Sequence, residues 1–243
     1  MVQKHNPLEQ FEIQTLIPIR LGNLDISFTN SSAFMVLAVA AVAILMILAV
    51  RPRASIPGRW QILAELSYEF IARLVSDNIG KDGRPYFSFI FTIFVFILFG
   101  NFLGMLPYSF TFTSHIAVTL SMALVIFVLV TVIAFFKHGI RFFSFFLPAG
   151  VPIFLAPLMI VIEVISYFTR PFSLSIRLFA NMMAGHTLLK VVGGFVFPLG
   201  ILGFVPLAGL VAITGLECLI AFLQAYIFTI LTCIYINDAI NLH

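Results

Sequence analysis

Charge is scarce in this chain. Charged residues make up 9% of its 243 positions and hydrophobic residues 61%, a balance that excludes an ordinary water-soluble domain. The formal net charge is only +3, it comes mainly from loop residues, and no basic stripe accompanies it, so nucleic acid is not an expected partner. Cysteine is scarcer still. Cys218 and Cys233 lie on one apolar segment whose helix would separate their Cα atoms by about 22 Å, far beyond disulfide reach, so buried free thiols are expected. No GxxxxGK[ST] run is present to cradle a phosphate, and no cofactor or metal is expected. The first thirty residues contain neither the apolar core of a secretory signal nor a following small-residue cleavage site, and read as a polar arm over 1–31.

What the chain does have is a set of apolar runs, several reaching the ~20 residues with which a helix crosses a bilayer core. The fold class is therefore an all-α, polytopic integral membrane protein. A first span is predicted from about Ser32 to Val50, stopping at RPRASIPGR, where Arg51, Arg53 and Arg59 mark a cytoplasmic end. WQILAELSYEFIARLVSDNIG follows, with Leu63, Leu66, Phe70 and Leu74 on one helical face and Glu65, Glu69, Arg73 and Asp77 on another, the pattern of a helix lying in the interface. A second span from about Tyr86 to Leu106 ends at the Pro107 turn. A third, from about Ile116 to Phe136, returns to a basic end at Lys137, His138 and Arg141.

From Phe142 onward about a hundred residues are nearly all apolar, too many for two perpendicular spans, which implies long tilted helices. Gly193, Gly194, Pro198, Gly200, Gly203 and Pro206 cluster as breakers, so a helical hairpin bending near residue 200 is predicted. The whole is about five membrane-embedded helices plus one interfacial helix in a single membrane domain over 1–243, divided into the arm, the first spans and interfacial helix at 32–141, and the hairpin at 142–243.

Residues facing each other across antiparallel helices have numbers with a nearly constant sum. Glu163 and Asp238 add to 401, Arg177 and Gln224 to 401, and His186 and Glu217 to 403, which gives three polar levels. Glu163, Arg170 and Arg177 are seven apart, with Asn181 four further on, whereas His186 lies about 180° around the helix from Arg177 and serves a different wall. Most isolated polar residues in such helices only fasten helices together, and Ser173, Ser175, Thr214 and Asn101 are read so. His115 is expected to be solvated or capping. Arg170 and Lys190 can extend along their stems toward polar surroundings. Arg177 is different: a charge at mid-bilayer costs ~2.5–3.5 kcal/mol even on the lenient insertion scale, and deep ionisable residues mark ion paths.

SLSIRLFANMMAGH, TGLECLIAFLQAYIFTIL and YINDAINLH closely resemble the subunit a family of rotary F-type ATP synthases. NPLEQFEI, FGNFLGMLPYSFTFTSH and LPAGVP extend the resemblance over nearly the whole chain, in the family order. It implies that Arg177 is the essential arginine, Asn181 its nearby asparagine and Gln224 its glutamine partner. His186 and Glu217 would be the outer proton-path pair, in the mitochondrial order, and Glu163 and Asp238 acidic positions of the opposite path. The resemblance further implies a stator beside a rotating c-ring, with peripheral-stalk b subunits, other Fo subunits, the lipid bilayer and protons as partners. Such a chain has no catalytic site of its own: it is the translocating half of an enzyme, in a bacterial plasma membrane or, less favoured, a mitochondrial inner membrane. Two rivals stand beside it. A secondary transporter would hold an anion at Arg177, against which no repeated half is evident. A scaffold would use its polar residues only as glue, against which the three polar levels stand.

Overall fold

A computed structural model describes residues 12–21, 24–25, 27–50, 58–106, 109–146 and 154–241. Most of the basic cluster after the first span (Arg51 and Arg53), the Pro107 turn, LPAGVP and most of NPLEQFEI lie outside these residues.

Six helices account for most of the described chain: α1 (Asn30–Val50), α2 (Arg59–Ile79), α3 (Phe87–Gly104), α4 (Ile116–His138), α5 (Ala156–Gly194) and α6 (Phe204–Ile240). Five helical segments are long and apolar enough to cross a membrane, with α2 and α3 forming one of them together. The expected all-α, polytopic membrane architecture is thus present. The arm is not featureless, however. Strand β1 (Thr15–Ile17) pairs antiparallel with β4 (Phe28–Thr29), and β2 (Arg20–Leu21) with β3 (Leu24–Asp25). Asn30 ties this small structure to α1: its side-chain amide donates to the Glu12 carbonyl at 3.1 Å, and its Oδ1 accepts from the Gln14 and Ser31 backbone N–H groups.

In α2 the charged residues lie outward, with Glu69 and Arg73 in an i,i+4 ion pair at 2.6 Å and Gln61 donating to Glu65 at 2.8 Å. Only part of its predicted apolar face turns into the bundle. Ala64, Ile71, Leu74, Val75 and Ile79 are buried, while Leu63 and Leu66 are at least half exposed. The buried set is rotated because α2 packs on both α6 and α1, and Phe70 at its margin meets Phe94, Phe222 and Tyr226. The main core runs from α2 through α3, α4 and α5 to the second half of α6, centred on Ile71, Ile90, Ile97, Leu178, Phe228 and Ile236.

At ~1.5 Å per residue, the 39 residues of α5 and the 37 of α6 reach about 58 and 55 Å. Both far exceed a ~30 Å hydrocarbon core, so both helices tilt or bend. Pro171 sits inside α5, where it removes one helix hydrogen bond. The hairpin turn falls at residues 195–203. Gly200 there adopts φ +55°, a conformation costly for any residue with a Cβ.

The cysteines divide. Cys233 is buried, but Cys218 is exposed, contrary to the expectation for both. In the first half of α6, Glu217 is the buried residue of its turn and its neighbours Leu216, Cys218 and Leu219 point outward. Only the second half enters the core.

Candidate functional site: two polar levels flanking an open arginine

Helices α4 and α5 pack against each other, fastened by Thr119–Ser175 at 3.1 Å and Thr131–Tyr167 at 2.7 Å. Since 119 meets 175 and 131 meets 167, the two helices run antiparallel, and α4 serves as a ruler for depth.

At the start of α4 is a buried polar cluster. The segment before it folds as a 3-10 turn, Phe112–Ser114, against α3. Two glycines one helical turn apart make this approach possible: a Cβ on Gly100 would strike the Phe112 ring, and one on Gly104 would strike the Thr111 side chain. Thr111 Oγ1 lies 3.1 Å from His186 Nε2, bringing α5 to the turn. His186 Nδ1 in turn faces Glu217 Oε1 of α6 at 4.0 Å, both side chains about nine-tenths buried. Gly185 leaves the room for this, because a Cβ there would collide with Glu217 Oε1. Asn101 accepts from Thr113 Oγ1 at 2.9 Å and donates to the Ala221 carbonyl at 3.2 Å, tying α3 and the turn to α6. Asn101 and Ser175 therefore are fasteners, as read from the sequence, and Ser173 and Thr214 bond to carbonyls of their own helices. His115 stands at the N-cap position of α4, but its side chain makes no capping hydrogen bond. Its ring stacks on Phe110 with centroids 5.0 Å apart, and its Nε2 is buried without a hydrogen bond. Burial lowers its pKa from the ordinary value, favouring the neutral ring.

The second polar level lies toward the other end of α4, about 24 Å away along α5, since Arg170 stands sixteen residues before His186. His138 Nε2 approaches the Ala239 and Ile240 carbonyls at 3.2 and 3.1 Å, closing the end of α6. One residue earlier, Asp238 accepts from Arg170 at 3.1 Å. The Arg170 guanidinium also lies 5.1 Å from the Tyr235 ring centroid and 5.8 Å from that of Tyr167. The constant-sum register pairs Asp238 with Glu163 instead. Two carboxylates repel while a guanidinium seven residues along can swing to the acid, and Glu163 is left half-buried. Small cavities of about 10 Å³ adjoin Arg170, one lined by Tyr167, Pro171 and Tyr235, the other by Phe142, Asp238 and Ala239, each the size of about one water.

Between these levels is Arg177. Its side chain is exposed, and so are Ser173, Ala180 and Ala184, which recur at helical spacing along one stripe of α5. Among the described residues the ion pairs are Arg73–Glu69, Arg170–Asp238 and the His186–Glu217 approach. None engages Arg177. Asn181 is half-buried and Gln224 buried, and no hydrogen bond joins Gln224 to Arg177. His186 faces the core and Arg177 away from it, as their angular separation predicts. Thr111 escaped the sequence reading because it lies on a loop, outside both the hairpin register and any helical period; the hydroxyl run in SFTFTS was its one available signal.

No group of three or more His, Cys, Asp or Glu side chains among the described residues could hold a metal ion. The fold and the polar levels define a multi-pass helical membrane protein with ionisable groups carried deep in its long helices. The family model described as ATP synthase A chain matches residues 32–237. The chain is 58% identical over 245 residues to the ATP synthase subunit a of Paramagnetospirillum magneticum, covering 98% of this chain and 99% of that one. It is 56% identical over 240 residues to that of Pelagibacter ubique, covering 98% of each, and 56% identical over 240 residues to that of Rhodospirillum rubrum, covering 98% and 100%. The chain thus belongs to the ATP synthase A chain family, the proton-translocating subunit a of the Fo sector.

Proposed function

We propose that this chain is the stator wall of two offset proton half-channels, with Arg177 as the charge gate between them. The observation that carries this reading is Arg177 itself: a guanidinium near the middle of a long apolar helix, exposed, without an ion pair among the described residues, on a stripe whose neighbours are small. A cation left so at membrane depth costs several kcal/mol unless something outside the chain meets it. A carboxylate carried past on a rotating ring of c subunits is the partner of fitting charge, and small residues let such a helix approach closely.

Protons arriving from outside would pass the buried His186 and Glu217, neutralise a ring carboxylate, travel around in the lipid, and leave on the opposite side past Asp238 and Glu163. Arg170, which holds Asp238, belongs to that second path. Asn181 and Gln224 lie near the gate level, where their amides can orient water or the ring carboxylate without adding charge. Arg177 stays protonated at any accessible pH. It draws the ring carboxylate into its ionised form and repels a proton moving straight between the paths. The separation of the two polar levels along α5, with Arg177 between Arg170 and His186, supports this division. One charge crossing 100 mV releases ~2.3 kcal/mol, so several steps are coupled to one ATP made or hydrolysed elsewhere. Peripheral-stalk b subunits and other Fo subunits would hold the whole chain, as one membrane unit, against the ring's torque. A bacterial plasma membrane is the proposed location.

Reconstitution tests the reading. The chain in vesicles by itself should conduct no protons, and the chain with its ring should conduct under an imposed potential. Solute uptake by the chain alone would replace this reading with a transporter, and absence of conduction with the ring would replace it with a scaffold.

A further inference from the structure

We infer that Thr111 is a positioning residue for His186, holding its neutral ring as the Nε2–H tautomer so that the proton exchanged with Glu217 enters and leaves at Nδ1. This rests on the reading of His186 and Glu217 as the outer path.

The tautomer follows from counting hydrogens. Thr111 has one hydroxyl hydrogen and two neighbours: the Gly104 carbonyl at 3.1 Å and His186 Nε2 at 3.1 Å. Gly104 is the last residue of α3, so its carbonyl is one of those the helix leaves open. The other hydroxyl within reach of it, Ser109 at 2.9 Å, has a closer acceptor in the Leu106 carbonyl at 2.7 Å. A carbonyl can only accept, so the Thr111 hydrogen goes to Gly104. What Oγ1 then offers His186 is a lone pair, and Nε2 must be the donor. In a neutral ring protonated at Nε2, the unprotonated nitrogen is Nδ1, which faces Glu217 Oε1 at 4.0 Å.

Transfer is then a single exchange. The protonated carboxyl of Glu217 gives its proton to Nδ1, leaving a carboxylate and an imidazolium, and the reverse step restores both. Nε2–H donates to Thr111 before and after, so the ring need not flip. The distance is about 1 Å longer than a hydrogen bond, and closing it requires a small movement of the carboxyl. Among the described residues no hydrogen bond tethers Glu217 against that: its Oε2 is buried and has no hydrogen-bond partner, and Gly185 opposite it has no side chain to block the way.

The test uses the intact ATP synthase in vesicles, with ATP-driven proton pumping as one readout and solid-state NMR of 15N-histidine as the other, the His186 signals being those lost in His186→Gln. Thr111→Val keeps the shape and removes the acceptor; Thr111→Ser keeps the hydroxyl. At a pH where the ring is neutral, the wild type should show protonated Nε2 and bare Nδ1. In Thr111→Val a population protonated at Nδ1 should appear, and pumping should fall roughly 3- to 10-fold, the scale of one lost hydrogen bond. Thr111→Ser should restore both. A wild-type ring protonated at Nδ1, unchanged pumping in Thr111→Val, or a Thr111→Ser variant as slow as the valine would each overturn the inference. His186→Ala in the same assay separates the two levels of the claim. If it is slow while Thr111→Val is not, the inference alone falls; if it pumps at the wild-type rate, the relay reading falls as well.

Discussion

Arg170 and Arg177 are chemically identical, stand seven residues apart on one helix, and live in opposite circumstances. Arg170 has a carboxylate at 3.1 Å and two tyrosine rings beside it, with Asp238 reached from α6 and Tyr167 from its own helix. Arg177 is exposed on the outer stripe of α5 and has no ion pair among the described residues. The difference is made by α6: its second half packs into the bundle and delivers Tyr235 and Asp238 to Arg170, and it delivers no acid to Arg177. A paired cation stabilises the chain that contains it. An unpaired cation at membrane depth is a cost to its own chain, and its benefit must lie in the complex.

Substitution should separate the two arginines. The largest effect is expected for Arg177→Ala: a complex that assembles and has lost proton-driven ATP synthesis, measured in energised vesicles. Arg177→Lys should restore little, since lysine lacks the planar fork and loses its proton more readily in a desolvated site. Arg170→Ala should reduce the stability of the chain and leave partial synthesis. In a double-mutant cycle with Asp238→Ala, thermal unfolding in detergent should give a coupling of about 1.5–3 kcal/mol, the range for a hydrogen bond to a charged group. No coupling would mean that the pair is dispensable. Next comes Gly185→Ala, whose methyl group would meet Glu217 Oε1. It should slow ATP-driven pumping severalfold while leaving ATP hydrolysis in the head intact, and a normal pumping rate would show that Glu217 has room to spare.

The smallest effect concerns His115. Its folded pKa is lowered by burial, so below the unfolded value of ~6.5 the unfolded chain binds more protons than the folded one, and stability falls as pH falls. The difference in melting temperature between wild type and His115→Gln should be constant above about pH 8 and change below about pH 6.5, with the glutamine variant losing less as pH falls. Parallel curves would remove His115 as the acid-sensitive group.

How much of this was legible in the sequence depended on what kind of signal each feature leaves. The membrane helices were legible because lipid demands long apolar runs, and the hairpin turn because glycine and proline crowd there. His186 and Glu217 were found in register because both sit on the two long helices, where position converts into depth. The same sum paired Asp238 with Glu163 and missed Arg170, because it measures only depth and cannot see that a carboxylate prefers a guanidinium. Helical periodicity showed that α2 is amphipathic but not which part of its apolar face the bundle buries, since α1 and α6 set that stripe. Thr111 and the strands of the arm carry no period at all, and their places are set by tertiary contacts such as those allowed by Gly100 and Gly104.

The most direct measurement of the gate is passive proton conductance in vesicles stripped of the catalytic head, comparing wild type with an assembled Arg177→Ala complex. If Arg177 keeps two paths apart, conductance persists or rises when the cation is removed, although synthesis in intact vesicles is lost. If removal of Arg177 leaves synthesis normal, or if the assembled variant no longer conducts protons at all, the guanidinium is not a gate between half-channels and the central claim fails.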